Sequence, residues 1–218
     1  MSKLISLLLA LFLIPVLPAV YAQNTHSLQL NGGMVFPMNS SKGAGAALQY
    51  NYSLSPAIQL YAYSGISYWD ENHEIHEMDR KDIQNNQFKT SYSADEHVLI
   101  PLYFGSQIAL HSDRLFTTFA NIELGYSHLS YNAYENLMVT DEKTGEVLEF
   151  YADQKTKRKV NENLFGIGAG VGLSHEITNG IKLQLSYKLN TFINSNYNGF
   201  FTSRGTYNTL VLGVNCGI

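Results

Sequence analysis

The chain has 218 residues, 14 of them basic and 18 acidic, which gives a formal net charge of −4. That balance argues against nucleic acid as a partner, because phosphate backbones are bound by basic surfaces. The single cysteine, Cys216, excludes a fold that is held together by internal disulfides.

The first 22 residues have the pattern of a secretory signal peptide. Lys3 supplies a positive charge, Leu4 to Leu13 form an apolar run, and Ala22 offers a small residue for cleavage. A retained membrane anchor is the alternative, but the apolar run is short for a membrane span. No later segment reaches the roughly 18 consecutive apolar residues that a membrane helix needs. We therefore expect one exported domain over residues 23–218.

Alternation of apolar and polar residues dominates this domain. In "IKLQLSYKLN" (181–190), the apolar residues and the polar residues fall on opposite faces, as they do in a half-buried strand. Segments of this kind number eight, and no helical pattern lies between them. The predicted strands are 26–36, 43–53, 57–69, 97–108, 115–129, 164–176, 181–191 and 206–218.

The connections between these strands alternate between tight turns and mostly longer polar segments. Most of the acidic residues, 15 of the 18, fall in two of the long connections, 70–96 and 130–163. A soluble sandwich, the alternative, would spread charge over its outward strand faces. Eight alternating strands with short turns at one end and long loops at the other predict an all-β fold, an eight-stranded antiparallel up-and-down transmembrane β-barrel. Closure is required because an open sheet edge in hydrocarbon would leave backbone groups unpaired.

This pattern also predicts the orientation of the barrel. With both termini in the periplasm, the long connections face outward from the cell. Several aromatic residues lie near the outward-facing ends of the strands, where amphipathic rings favour the level of the lipid headgroups. These are Tyr68, Trp69, Tyr126, Tyr131 and Tyr134.

With its signal peptide, its first strand "LQLNGGMVFP" and "IPLYFGSQI" in the fourth strand, the chain resembles the small outer-membrane β-barrel family. This family includes barrels of the outer-membrane protein A and X type and the PorT-like barrels of Bacteroidetes. The resemblance implies a monomer in the outer membrane of a Gram-negative bacterium, in contact with lipid and lipopolysaccharide. It implies no cofactor and no enzymatic activity; a secretion-accessory role is implied by the PorT-like members. The chain departs from many such barrels by ending in Cys216-Gly217-Ile218 rather than in an aromatic residue.

A glycine-rich run, "LFGIGAGVGLSH" (164–175), is the one candidate for a phosphate-binding loop. The dinucleotide fingerprint needs glycines at offsets zero, two and five, and no register of this run provides them. The glycines recur every second residue, so we expect them to face the barrel lumen and to leave room for longer side chains. They are Gly166, Gly168, Gly170 and Gly172.

Inside the predicted barrel, Glu123 is the one acidic residue in the interior of a strand. Lys188 lies about as far along the seventh strand as Glu123 lies along the fifth, with the glycine-faced strand between them. We expect both to belong to a lumenal charge network, together with Lys182 on the same face as Lys188. Pairing matters because an unpaired charge in a narrow lumen is costly.

Two further groups of residues have a functional interpretation as an alternative to that of solvated polar residues. His73, His76 and Glu77 could hold a divalent cation, although their spacing is not that of the helical zinc motif. His128 and Ser130 continue a lipid-facing set and are faintly similar to the serine and histidine of outer-membrane lipid A deacylases.

The long outward loops are the remaining place for function. Residues 137–150 predict a hairpin that extends the fifth and sixth strands above the membrane. The basic run "KTKRK" (155–159) lies beside it. We expect either a solvated loop or a contact surface for anionic lipopolysaccharide or for a protein partner.

Overall fold

The computed structural model describes residues 25–38, 41–70, 72–73, 92–113, 115–141, 143–144, 147–194 and 205–218. The predicted signal peptide lies outside these ranges, as do His76 and Glu77. Within them the chain is almost entirely extended. No helix in this part of the chain is long and apolar enough to cross a membrane.

Ten strands and one short 3-10 helix, Gln154–Thr156, make up the described chain. The strands are β1 (His26–Pro37), β2 (Gly43–Ser53), β3 (Ile58–Trp69), β4 (Asn72–His73), β5 (Tyr92–Ser112), β6 (Thr117–Thr140), β7 (Val147–Ala152), β8 (Arg158–Thr178), β9 (Ile181–Phe192) and β10 (Thr206–Gly217).

Eight of these strands close into a barrel, and β4 and β7 are short additions at its extracellular end. The ring runs β1-β2-β3-β5-β6-β8-β9-β10, and every pairing is antiparallel. It is sealed where β1 meets β10, in register from Ser27 opposite Gly217 to Pro37 opposite Tyr207. The predicted eight-stranded up-and-down barrel is therefore confirmed.

Three strands are longer than the alternation predicts. β5, β6 and β8 continue beyond the apolar stretch into polar segments, where the periodic signal fades although the backbone pairing persists. The upper part of β6 turns back and pairs with β7, with Leu137 opposite Tyr151. A hairpin therefore occupies most of residues 137–150, as predicted, and rises above the barrel wall.

An apolar belt surrounds the barrel. Large apolar side chains point outward from every strand of the ring, and two of them, Leu30 and Phe104, leave 65% and 56% of their surface exposed. Such exposure over a whole circumference is unfavourable in water and favourable in hydrocarbon. The belt therefore places this barrel in a lipid bilayer, as a closed ring of paired strands permits.

The lumen is filled by two layers of different chemistry. The layer nearer the outer face is an apolar cluster, here called the plug: Val35, Trp69, Leu99, Leu129, Tyr131, Ala133, Leu164, Phe192 and Tyr207. The layer toward the periplasm, here called the polar layer, is built from buried amide, hydroxyl and charged side chains, with Phe119 as an apolar exception.

Three of the aromatic residues that were expected at the level of the lipid headgroups are buried instead. Trp69 and Tyr131 point into the lumen, where each stacks on the ring of His97, at centroid distances of 5.1 and 5.2 Å. Tyr134 is also buried, with Lys157 over its ring at 5.8 Å. Tyr68 and Tyr126 do point outward. Trp69 shares its strand face with Tyr61 and Tyr63, so its inward orientation follows from the period of two.

The tight turn at the periplasmic end after β5 is stabilised by an aspartate. Asp113 Oδ1 accepts hydrogen bonds from the backbone N–H groups of Phe116 and Leu115, at 2.8 and 2.7 Å. Hydrogen bonds to the ionised carboxylate hold the pKa of Asp113 below its ordinary value. This is the usual way in which aspartate specifies a turn.

Candidate functional site

Glu123 lies at the centre of the polar layer. Its side chain has no exposed surface, and that of Lys188 is 11% exposed. Glu123 Oε2 accepts hydrogen bonds from Lys188 Nζ and from Tyr61 OH, both at 2.8 Å. Glu123 Oε1 accepts another from Tyr63 OH, also at 2.8 Å. The structure thus brings Glu123 and Lys188 into contact across the lumen.

The cation has further partners. Lys188 Nζ lies 4.6 Å from the ring centroid of Tyr63 and 5.1 Å from that of Tyr61. When the amide of Asn190 is oriented with its nitrogen toward the carboxylate, it donates to Glu123 Oε1 at 3.1 Å. Charge-assisted hydrogen bonds and cation–π contacts offset the desolvation of both ions. Because both carboxylate oxygens are fully engaged, Glu123 has no lone pair left to serve as a general base.

The glycine face of β8 makes this crossing possible. Glu123 on β6 and Asn190 on β9 both stand opposite Gly168 on β8. A Cβ atom at Gly168 would lie 2.9 Å from Glu123 Cγ, and one at Gly170 would lie 2.9 Å from Lys188 Cγ. Gly166 and Gly172 are crowded in the same way, by Tyr103 and Phe119. Gly168 and Gly170 therefore provide clearance for the charged side chains, and Gly166 and Gly172 provide it for the two aromatic rings.

Lys182 does not join this network. Its side chain is 48% exposed, and it pairs with Glu176 instead, at 3.8 Å. It lies on the inward-facing side of β9, but six residues before Lys188, which is about 20 Å along a strand. Lys182 and Lys188 therefore share the inward face of β9 but not the charge cluster, because Lys182 lies at the periplasmic rim.

Below the charge cluster, a chain of hydrogen-bonded amide side chains crosses the seam between β1 and β10. Asn215 on β10 donates to Gln29 on β1 at 3.3 Å, and Gln29 donates to Asn31 at 2.7 Å. Asn31 donates to Gln49 on β2 at 3.3 Å, and Gln49 donates to Asn51 at 2.7 Å. These buried amides satisfy one another, as buried polar groups must.

A cavity of about 70 Å³ lies beside Lys188, on the side of β1 and β2. Small residues on that wall, Gly33, Gly45 and Ala47, leave this space, and Asn31 and Gln49 give it polar lining. A volume of this size holds a few water molecules. It lies beneath the plug residues Val35, Leu99 and Tyr207, which also line it.

The imidazole of His128 contacts Asn163 on β8 rather than Ser130. His128 and Ser130 are both half-buried on the outward-facing side of β6, and His128 Nδ1 is 3.0 Å from Asn163 Oδ1 on β8. Among the described residues, no hydrogen bond joins the hydroxyl of Ser130 to the imidazole. A serine nucleophile needs such a bond to its base.

No group of three or more potential metal-ligating side chains occurs in the described ranges. The sequence-based interpretation missed Tyr61, Tyr63 and Asn190 as partners of Glu123. The alternation places all three on inward faces, so a search of those faces for donors able to reach a carboxylate would have found them.

Comparison with known proteins bears on the fold. No family model and no curated protein matches the chain. Among solved structures it is similar to Neisserial surface protein A, with 12% identity, a TM-score of 0.51, and coverage of 89% of this chain and 97% of that one. A major outer membrane protein from Thermus thermophilus gives 12% identity and a TM-score of 0.51, covering 88% and 98%.

The chain has the fold of an outer-membrane β-barrel. A third similar structure, the outer membrane protein OprG from Pseudomonas aeruginosa, has 7% identity and a TM-score of 0.49, with 90% and 98% coverage. Together with the apolar belt, the fold that the chain shares with Neisserial surface protein A and the Thermus protein assigns it to the outer membrane of a Gram-negative bacterium.

Proposed function

We propose that this protein is a non-enzymatic, non-conducting outer-membrane barrel that works through its extracellular surface. The observation that carries this proposal is the filled lumen. An eight-stranded barrel has room for side chains but not for a wide channel. Here the plug lies on the outer side, and the Glu123–Lys188 cluster lies beneath it.

The extracellular end also supports the proposal, because side-chain contacts hold it in a defined shape. Tyr134 OH donates to Asp95 at 3.1 Å, and Lys157 Nζ lies 3.9 Å from Glu96. Thr156 Oγ1 accepts from the Glu135 N–H at 2.9 Å and so ties the 3-10 helix to β6. A surface held in this way is suited to structural or adhesive contacts. The secretion-accessory role that the PorT-like resemblance implies is one form of such contact.

The test has two parts. Replacing residues 137–150 by an Asn-Gly turn should leave a folded barrel, as measured by its resistance to SDS before heating, and should abolish the surface role. That role is measured by crosslinking in intact cells from a photoreactive residue at position 155, which the variant retains, with position 182 at the periplasmic rim as the control. Cells carrying Ser130→Ala should have the same lipid A composition as wild type. A change in lipid A would overturn the non-enzymatic assignment.

A further inference from the structure

The outward face of the β6–β8 pair changes from apolar to polar at one height along the strands. Three successive cross-strand pairs in the belt are apolar: Ile122–Ala169, Leu124–Ile167 and Tyr126–Phe165. The next three pairs toward the outside are polar: His128–Asn163, Ser130–Asn161 and Asn132–Lys159. These six polar residues are here called the polar ladder.

The position of the ladder identifies what it faces. Its residues lie on the same outward faces of β6 and β8 as Tyr126 and Phe165, whose side chains in the belt are 47% and 43% exposed. Cross-strand pairs on one face recur every two residues, so the ladder extends about 14 Å along the strands from its first rung. It therefore stands immediately above the hydrocarbon, at the height of the lipid headgroups. Asn132, on its top rung, is covered by Glu96, to which it donates at 2.5 Å, so the accessible side of that rung is Lys159.

Among the described residues, the opposite wall of the barrel has no such ladder. Along the outward face of the β2–β3 pair, Ala46 stands opposite Ile66 and Ala44 opposite Tyr68 at the outer end. On the β1–β10 pair, Met34 stands opposite Leu210. At the level of these pairs the described outward residues are apolar, so the three polar pairs of β6–β8 are not repeated on this wall.

The side chains of the ladder suit a sugar that carries phosphate. Asn161 and Asn163 are exposed and present amides that can both donate to and accept from hydroxyl groups. Lys159 is exposed, and no described carboxylate lies within salt-bridge distance of its ammonium. Lys157, in contrast, is paired with Glu96 at 3.9 Å. Lys159 is therefore the cation that the polar ladder itself offers to a phosphate.

We propose that the polar ladder binds the phosphorylated glucosamine headgroup of a lipopolysaccharide molecule in the outer leaflet. Asn161 and Asn163 contact the sugar, and Lys159 contacts a phosphate. His128 and Ser130 belong to this surface as its lowest polar residues. This inference rests on the proposed surface role and names a lipid partner for it.

The test measures binding of lipid A to the detergent-folded full chain by native mass spectrometry. Lipid A with both phosphates is compared with the same lipid after enzymatic removal of its phosphates. A basic residue close to an anionic membrane surface contributes about 1 kcal/mol, so Lys159→Ala should weaken binding of the phosphorylated lipid about fivefold. Binding of the dephosphorylated lipid should not change with this variant. Lys159→Arg should restore the wild-type affinity.

Lys42→Ala is the matched control, because Lys42 is an exposed lysine at the opposite side of the same rim. It should bind both lipids as wild type does. The double variant Asn161→Ala/Asn163→Ala should bind both lipids more weakly. Equal losses in Lys42→Ala and Lys159→Ala, or equal wild-type affinity for the two lipids, would overturn the proposal. Either result would leave the proposed non-conducting barrel standing. Conduction by the wild-type protein would instead contradict the proposed function but not the lipid site.

Discussion

The two layers of the lumen fill the same cylinder by different means. In the polar layer, Glu123, Lys188 and the amides hold one another through directed hydrogen bonds. In the plug, residues such as Leu99 and Leu164 fill space by close packing, because their side chains have no hydrogen-bonding groups. Hydrogen-bonded layers depend on every partner being present, whereas packed layers depend on volume. The two layers should therefore fail differently when they are mutated.

Removing one partner of the buried ion pair should have the largest effect. Glu123→Ala leaves Lys188 charged and buried, which we expect to lower the free energy of unfolding by about 3–5 kcal/mol. Urea unfolding in lipid vesicles measures the change. The double variant Glu123→Leu/Lys188→Met removes both charges and should recover most of the loss. A double variant that is as unstable as the single one would show that charge is not the cause.

A cavity in the plug should come next. Leu99 is 1% exposed, and Leu99→Ala should lower the free energy of unfolding by about 2–4 kcal/mol through lost packing. Leu99→Met keeps the volume and should cost less than about 1.5 kcal/mol. The same unfolding measurement distinguishes them. If the two variants were equally unstable, the plug would not be held by packing.

The glycine clearance can be tested by adding a single methyl group. Gly168→Ala crowds Glu123 and Asn190 and should cost about 1–3 kcal/mol by overpacking. The control is Gly32→Ala on the lipid-facing side of β1, where nothing lies within 4 Å of the added carbon. That control should be neutral or slightly stabilising, and an equal loss in both variants would argue against a clearance role.

The periplasmic turn lies outside both layers and should give the smallest effect. The pKa of Asp113 is lower in the folded chain than in the unfolded chain. Its stabilising contribution is therefore present above the unfolded pKa and is lost as the pH falls through the folded pKa. Asp113→Asn should lower the thermal midpoint slightly at pH 7 and by less in strong acid. A loss that does not depend on pH would rule out the ionised carboxylate as its source.

Much of the fold could be predicted because a strand in a barrel has only two faces. The period of two locates all eight strands, and it also puts Glu123, Lys188 and the four glycines on inward faces. Height above the membrane is harder to predict, because it depends on the stagger between strands. Lys182 has the correct face and the wrong height. Tyr61 and Tyr63 on β3 contact Glu123 because their side chains are long enough to cross the lumen. The alternation within one strand gives no information about such contacts.

Single-channel recording in planar bilayers tests the closed lumen most directly. We expect no current steps from the wild-type barrel, because the plug and the polar layer both block the path. Tyr63→Ala/Trp69→Ala truncates one large side chain in each layer and should produce brief openings. Step-like conductance from the wild-type protein would contradict the closed lumen and with it the assignment of function to the extracellular surface.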